Sequence, residues 1–164
     1  PVFEGNLNGK DSSIGIVVSK YNEPVTSRLL VGAEEVLHQL GTAAEKIQQV
    51  RVPGAFELPL AAKVLAQSQQ VDAVICLGAV IRGETPHFDY ISGETSRGIG
   101  SVALETGIPV IFGVLTTNTV EQAMERSASS ERNKGADAAR TAIEMVSLLK
   151  QLHKANVRHT GFLR

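Results

Sequence analysis

The residues best suited to chemistry lie in one short segment, which reads Arg82, Gly83, Glu84, Thr85, Pro86, His87. Glycine and threonine ahead of a helix offer backbone N–H groups and a hydroxyl to an anion, although the segment matches neither a P-loop nor a dinucleotide-binding fingerprint. The histidine that follows is a side chain able to exchange protons near neutral pH. The segment therefore suggests proton transfer beside a bound anion, and the alternative is a solvated or helix-capping histidine.

The elements on either side of this segment place it at the edge of a sheet. Residues 71–80 form an almost continuous apolar run, which is typical of a parallel strand covered on both faces. Residues 88–105 then have a helical pattern. Because ligands of open α/β sheets bind outside the carboxyl ends of the strands, the segment from Arg82 to His87 is the first candidate binding loop.

The rest of the chain repeats this alternation of strand and helix. The pattern predicts strands over 13–19, 47–52 and 109–115, and helices over 24–40, 56–67, 120–128 and 134–153. This order predicts an α/β fold, a flavodoxin-like doubly wound parallel four-stranded sheet with helices on both faces. We expect one domain over residues 1–164. Its arm, 1–12, would contribute a short edge strand at Val2 and Phe3 that pairs with another subunit, and its tail, 154–164, is assigned no structure.

Aromatic and polar residues follow two other predicted strands. Tyr21 and Asn22 come after the first strand, and Phe56 and Glu57 belong to a glycine loop after the second. Since the carboxyl ends of parallel strands share one edge, these residues should converge with His87, and with the loop 115–119 after the fourth strand, on a small-molecule site. Tyr21 and Phe56 can stack on a heteroaromatic ring, with core packing the alternative for Phe56.

Two cations near helix ends are further candidates. Arg126 lies near the end of a predicted helix, where it can hold phosphate bidentately or simply complement the helix dipole. Lys134 lies at a helix start, where a positive charge is unfavourable with the dipole, and Asp137 can offset it. A cation in that position indicates an anion nearby.

The composition excludes several classes of function. With 16 lysines and arginines against 17 aspartates and glutamates, the chain has no basic excess for nucleic acid. No apolar run reaches the length of a membrane span, and four scattered histidines with the single Cys76 suggest no metal site. Cys76 lies within an apolar strand, which favours an inert thiol. We expect a cytoplasmic protein, or a protein of the plastid stroma if a transit peptide has been removed.

The motifs, taken together in order, resemble those of the 6,7-dimethyl-8-ribityllumazine synthases of riboflavin biosynthesis. The matching segments are residues 15–22, 52–59, 77–90, 109–117, 121–126 and 133–135. The resemblance implies condensation of 5-amino-6-(D-ribitylamino)uracil with 3,4-dihydroxy-2-butanone 4-phosphate, releasing phosphate and water, without a cofactor or a metal. The implied steps are imine formation, phosphate elimination, tautomerisation and ring closure by dehydration.

The resemblance also implies roles for individual residues. Tyr21 and Phe56 would stack near the pyrimidine, Asn22 and nearby backbone groups would read its polar edge, and Glu57 would bind ribityl hydroxyls. The substrate-binding residues implied on these loops are Tyr21, Asn22, Ala55, Phe56, Glu57, Ala79, Val80 and Ile81.

The remaining roles concern phosphate and protons. Gly83, Glu84 and Thr85 would join Arg126 in holding phosphate, mainly through backbone donors and the threonine hydroxyl, with Glu84 turned away from the anion. Lys134 would add positive potential, and the implied catalytic residues are His87 and Arg126. The site would lie between adjacent subunits of a pentamer, so that Phe112 and Arg126 reach a neighbour's loops.

Two positions differ from the pattern common in this family, and other functions remain open. Tyr21 stands where many members carry another aromatic residue such as phenylalanine, and residues 127–133 differ from the glycine-containing loop of many shell-forming members. A pentamer, a decamer and a sixty-subunit shell are therefore all compatible with the sequence. The alternatives to an enzyme are a flavodoxin-like binding or signalling module and a shell protein with a vestigial site.

Overall fold

Four parallel strands form one sheet at the centre of the molecule. The computed structural model describes residues 1–160, with side chains described as far as residue 157. The strands are β1 Ile14–Ser19, β2 Ile47–Val52, β3 Ala73–Ile81 and β4 Val110–Thr117, and their order in the sheet is β2-β1-β3-β4. This is the predicted doubly wound, flavodoxin-like arrangement, and the prediction is confirmed.

Helices cover both faces of the sheet. They are α1 Glu23–Gln39, α2 Leu58–Gln67, α3 His87–Thr106, α4 Val120–Arg126 and α5 Lys134–Thr160, with short 3-10 turns at Ala44–Lys46 and Ala55–Glu57. The helices α1 and α5 pack on one face, and α2 and α3 pack on the other. No helix within residues 1–160 combines the length and the apolarity that a membrane crossing requires.

Alternate side chains of each central strand fill the two core layers. Ile16 and Ile75 face α1 and α5, whereas Val17 and Cys76 face α2 and α3. Burial raises the pKa of the Cys76 thiol to about 12, because the thiolate would lose its solvation. The thiol is therefore a packing group, as the sequence indicates.

The C-terminal helix is longer than the sequence pattern predicts. The assignment of no structure to the tail is wrong for residues 154–160, because α5 continues to Thr160. After Gly135, no glycine or proline occurs before Gly161, so nothing in this stretch terminates the helix. Residues 161–164 lie outside the described residues.

The N-terminal arm lies along α5 and contains no strand within residues 1–13. The backbone N–H of Asn6 donates to Ser147 Oγ at 3.0 Å, and Gln151 Nε2 donates to the Glu4 carbonyl at 2.7 Å. These bonds anchor the arm through side chains of α5, and a strand would require a partner's backbone. Pairing of Val2 and Phe3 with another subunit stays a prediction.

Candidate active site

A cavity of about 510 Å³ opens where β1, β2 and β3 end. The loops that follow all three strands contribute to its walls, as the rule for open α/β sheets predicts. The predicted site residues that line it are Tyr21, Asn22, Ala55, Phe56, Glu57, Ala79, Val80, Ile81, Gly83, Thr85 and His87. The sequence predicted that four loops would converge here, and three of them line this cavity. The prediction is wrong for the loop 115–119, because Leu115, Thr116 and Thr117 line a separate cavity on the other edge of β4.

Two aromatic rings stand at this cavity without being buried in the core. Tyr21 is 73% exposed and Phe56 is 54% exposed. In a chain with so few aromatic residues, two such rings beside one cavity are unusual, and their faces are available to a planar ligand. The core-packing alternative for Phe56 therefore does not apply to the single chain.

The strand β3 extends beyond its neighbour β1 and leaves backbone groups unpaired. Its ladder with β1 ends at Leu77, whereas its ladder with β4 continues to Ile81. On the β1 side, Ala79 O accepts a hydrogen bond from Asn22 Nδ2 at 2.9 Å. The other backbone groups on this side of residues 79–81 have no strand partner, so a ligand with a polar edge can pair with them.

The backbone conformation of Asn22 lets the loop after β1 reach the end of β3. Its φ of 62° and ψ of 45° lie in the left-handed region, which asparagine tolerates better than most residues. Its carbonyl accepts from the N–H groups of Val25 and Thr26 and so begins α1. Because the bond to Ala79 occupies one amide hydrogen, the Oδ1 atom and the second hydrogen remain for a ligand.

The carboxylate of Glu57 is partly engaged by its own loop. One of its oxygens accepts from the backbone N–H of Gly54 at 3.0 Å, which closes the turn Ala55–Glu57. The side chain is exposed, and its second oxygen has no bond to a described residue. A hydroxylated ligand can therefore bind that oxygen while the turn stays intact.

His87 opens α3 at the mouth of the cavity. Its backbone N–H lies 3.4 Å from Thr85 Oγ1, and its imidazole is exposed and forms no hydrogen bond to another described residue. The ring is thus a solvated group beside the cavity, and it does not cap the helix. Glu84 is exposed and does not line the cavity.

Arg82 is the nearest cation along the chain, but it is directed elsewhere. Its guanidinium lies 4.4 Å from the centroid of the Phe88 ring, Nε donates to Asn118 Oδ1 at 3.0 Å, and Nη1 lies 3.5 Å from Asp89 Oδ1. Among the described residues, neither lysine nor arginine lines this cavity. A phosphate bound beside Gly83 would therefore receive no positive side chain from this group of loops.

The predicted cations line a second cavity on the exposed edge of β4. This cavity has a volume of about 650 Å³, shares no residue with the first, and is lined by β4, Arg126, Lys134 and Asp137 among others. Phe112 lies here too and is 44% exposed. The predicted site residues of one chain are thus divided between two cavities. We call the cavity beside Tyr21 and Phe56 the ring-binding cavity and the cavity beside Arg126 and Lys134 the cationic cavity.

The two cations have partial partners within the chain. Arg126 ends α4 and is half-buried, and its Nη1 donates to the Gln122 carbonyl at 3.1 Å, a bond that fits dipole complementation. Lys134 begins α5, and its Nζ lies 3.3 Å from Asp137 Oδ2, as the sequence suggested. Both keep further donors that can bind an anion.

Comparisons with known proteins assign the family. The family model for 6,7-dimethyl-8-ribityllumazine synthase matches residues 11–150. The chain belongs to the 6,7-dimethyl-8-ribityllumazine synthase family. A protein named 6,7-dimethyl-8-ribityllumazine synthase from Syntrophus aciditrophicus (strain SB) is 58% identical over 151 residues, which cover 92% of this chain and 98% of that protein. Membership makes the chain a transferase-type enzyme of riboflavin biosynthesis.

The cavity at the ends of β1, β2 and β3 has wall residues that were not predicted as site residues. Pro53 and Gly54 precede the predicted residues of the second loop, and Phe88 and Ile91 come from the first two turns of α3. The spacing of Phe88 and Ile91 places them on one helix face with His87 and could have indicated them. In residues 1–157, no group of three or more His, Cys, Asp or Glu side chains is placed to hold a metal ion.

Proposed function

We propose that this chain condenses 5-amino-6-(D-ribitylamino)uracil with 3,4-dihydroxy-2-butanone 4-phosphate at a site shared by two subunits. The observation that supports the shared site is that no lysine or arginine in the described part of the chain lines the ring-binding cavity. A phosphorylated substrate needs a cation, and the chain presents Arg126 and Lys134 on a separate edge. A second copy would bring that edge to the first cavity in a homo-oligomer, a pentamer or a multiple of it.

The ring-binding cavity would hold the pyrimidine. Tyr21 and Phe56 would stack on the ring, and stacked aromatic pairs contribute about 0.5–1.5 kcal/mol beyond the area they bury. The unpaired backbone beyond Leu77, with Asn22, would read the polar edge of the ring. The free oxygen of Glu57 would accept bonds from ribityl hydroxyls.

The butanone phosphate would bind between the two subunits. Backbone N–H groups near Gly83 and the Thr85 hydroxyl would contact the phosphate from one side, and the neighbour's Arg126 would form a bidentate contact from the other. Lys134 would add charge, although Asp137 already neutralises part of it. Phe112 of the neighbour would close the apolar side of the pocket.

The chemistry would depend mainly on placement. The substrate amine attacks the ketone and loses water to give an imine, phosphate then leaves as the proton on the adjacent carbon is lost, and tautomerisation and a second dehydration close the ring. His87 would move these protons, since its exposed imidazole lies at the cavity. Holding amine and ketone together can supply about 7–11 kcal/mol of the barrier, so no enzyme nucleophile is required.

The first test is turnover by the purified protein. The two substrates are mixed, and fluorescent lumazine is followed against the uncatalysed background reaction. A rate that saturates in both substrates above background is expected. A folded, oligomeric sample with only the background rate would contradict the proposal and leave a binding module or a shell protein.

Subunit complementation tests the shared site. Arg126→Ala damages only the cationic cavity, and the double variant Tyr21→Ala/Phe56→Ala damages only the ring-binding cavity. In oligomers co-assembled from equal amounts of both, a site between subunits is intact in about one quarter of cases, whereas a site within one chain is never intact. Recovery of about a quarter of wild-type activity is therefore expected, and no recovery in verified mixed oligomers would refute the shared site.

A further inference from the structure

A buried asparagine lies between the two cations of the cationic cavity in the sequence. Asn133 lies just before α5 and is only 3% exposed. Its Nδ2 donates to the carbonyls of Arg28 at 3.2 Å, Ser127 at 3.0 Å and Ala128 at 3.1 Å. Its Oδ1 accepts from the N–H of Ala136 at 3.0 Å. Both ends of this buried amide are thus satisfied by backbone groups.

These bonds connect three helices at one point. The Arg28 carbonyl belongs to α1, Ser127 and Ala128 directly follow α4, and Ala136 lies in the first turn of α5. The Oδ1 bond is an ordinary N-terminal cap of α5, since it satisfies one of the free N–H groups of the first turn. The Nδ2 bonds are different, because they attach the end of α4 and the body of α1 to the same side chain.

Close packing of backbones prevents α5 from moving independently. A Cβ atom on Gly135 would lie 2.0 Å from the Leu29 carbonyl oxygen, and one on Gly32 would lie 2.2 Å from Asn133 Oδ1. The start of α5 therefore rests directly on α1, with the asparagine amide filling the gap. Any shift of this helix start would break bonds that the buried amide cannot replace with water.

The position of this anchor matters because of its neighbours in the chain. Arg126 immediately precedes Ser127, whose carbonyl the amide binds, and Lys134 immediately follows Asn133. Both cations line the cationic cavity, whereas Asn133 lines another cavity, between α1 and the loop 127–133. Any effect of the amide on the cations would therefore pass through the backbone, because Asn133 does not line the cationic cavity.

We propose that Asn133 is a positioning residue that sets the spacing of Arg126 and Lys134 and thereby the affinity for the phosphate group of the substrate. This inference rests on the proposed function, in which the two cations bind the phosphate. The side chain of Asn133 then has two roles. The Oδ1 cap stabilises α5, and the Nδ2 bonds position the cations.

Three variants distinguish the helix cap from the positioning of the cations. Asn133→Ala removes both, whereas Asn133→Asp and Asn133→Ser keep an oxygen that can cap Ala136 and lose the amide N–H₂ group that binds the three carbonyls. The control is Ile99→Ala, which creates a cavity in the buried face of α3 in the opposite core layer and contacts none of these groups. The loss of thermal stability of Ile99→Ala is measured first, and its kinetic constants are then compared with those of the Asn133 variants.

The readouts are the two Michaelis constants, kcat, and inhibition by inorganic phosphate. In Asn133→Ser, we expect about a tenfold rise in KM for butanone phosphate, which corresponds to about 1.4 kcal/mol of lost binding. The inhibition constant of inorganic phosphate should rise by the same factor, and KM for the pyrimidine should stay within about twofold. Ile99→Ala should lower stability and leave both KM values unchanged.

Two outcomes would overturn the inference. If Asn133→Asp or Asn133→Ser folds and keeps the wild-type KM for butanone phosphate, the helix cap alone accounts for the residue. If all constants change together as in a generally destabilised enzyme, Asn133 is structural and not specific to phosphate. A wild-type protein without turnover would instead contradict the proposed function, so the two failures are distinguishable.

Discussion

Removal of Arg126 is the sharpest test of how this enzyme would bind its phosphorylated substrate. In the part of the chain that the structure describes, no lysine or arginine lines the ring-binding cavity, and the side chain of Lys134 is already paired with Asp137 at 3.3 Å. Arg126 is half-buried and bonded only to a backbone carbonyl, so its charge is the least compensated one in the cationic cavity. In Arg126→Ala, the phosphate should therefore lose its principal cation.

The size of the effect follows from the bonds that would be lost. A hydrogen bond to a charged group contributes about 1.5–3 kcal/mol, which corresponds to about a 10- to 150-fold change in binding. We expect kcat/KM for butanone phosphate to fall by that factor, with KM for the pyrimidine almost unchanged. Arg126→Lys should recover only part of the loss, because lysine keeps the charge without the bidentate geometry.

The assay is the initial rate of lumazine formation at limiting butanone phosphate and saturating pyrimidine. Arg132→Ala is the matched control, since Arg132 lies in the adjacent loop, pairs with Glu125 and does not line the cationic cavity. It removes the same charge a few residues away and should leave kcat/KM unchanged. Equal rates for Arg126→Ala and the wild type would refute the phosphate role, and equal losses in both variants would indicate a general field effect.

Three further predictions concern groups at the ring-binding cavity and in the core. The factor by which His87→Ala lowers kcat should be smaller than the factor by which Arg126→Ala lowers kcat/KM, because placement of the substrates persists without the imidazole. Single-turnover rates measure the effect of His87→Ala. Asn22→Ala should lower the free energy of unfolding by about 2–3 kcal/mol, because alanine is strained in the left-handed region and the bond to Ala79 is lost. Asn22→Gly should lower the free energy of unfolding by only about 1 kcal/mol, because glycine loses only the bond. Urea unfolding of both variants at one protein concentration measures the difference. Because burial raises the pKa of Cys76 to about 12, the thiol stays protonated in the native protein, and a thiol reagent at mildly alkaline pH should label it only after denaturant is added.

The fold could be predicted because its signals are local and agree with one another. The apolar run before Gly83 forms β3, Thr119 caps α4 through a 3.1 Å bond from the Gln122 N–H, and Pro24 lies in the first turn of α1. The prediction for residues 154–160 was wrong where local signals were weak, and the predicted arm strand is not tested by a single chain. The C-terminal part of α5 has no clear apolar period, and a strand in the arm would depend on a partner that the sequence does not specify.

The sequence by itself determined the order of strands and helices, the family, and the loops that surround the ring-binding cavity. These follow from local periodicity and from the rule that parallel strands end at one edge. Only the tertiary structure decided which side chains share a cavity. In the folded chain, Arg82 is bonded to Asn118 and Asp89. Arg126 and Lys134 lie with Phe112 on the edge of β4. The amide of Asn133 connects three helices. Such contacts join residues far apart in the chain, and they depend on packing distances and hydrogen-bond geometry that residue types and spacing do not contain.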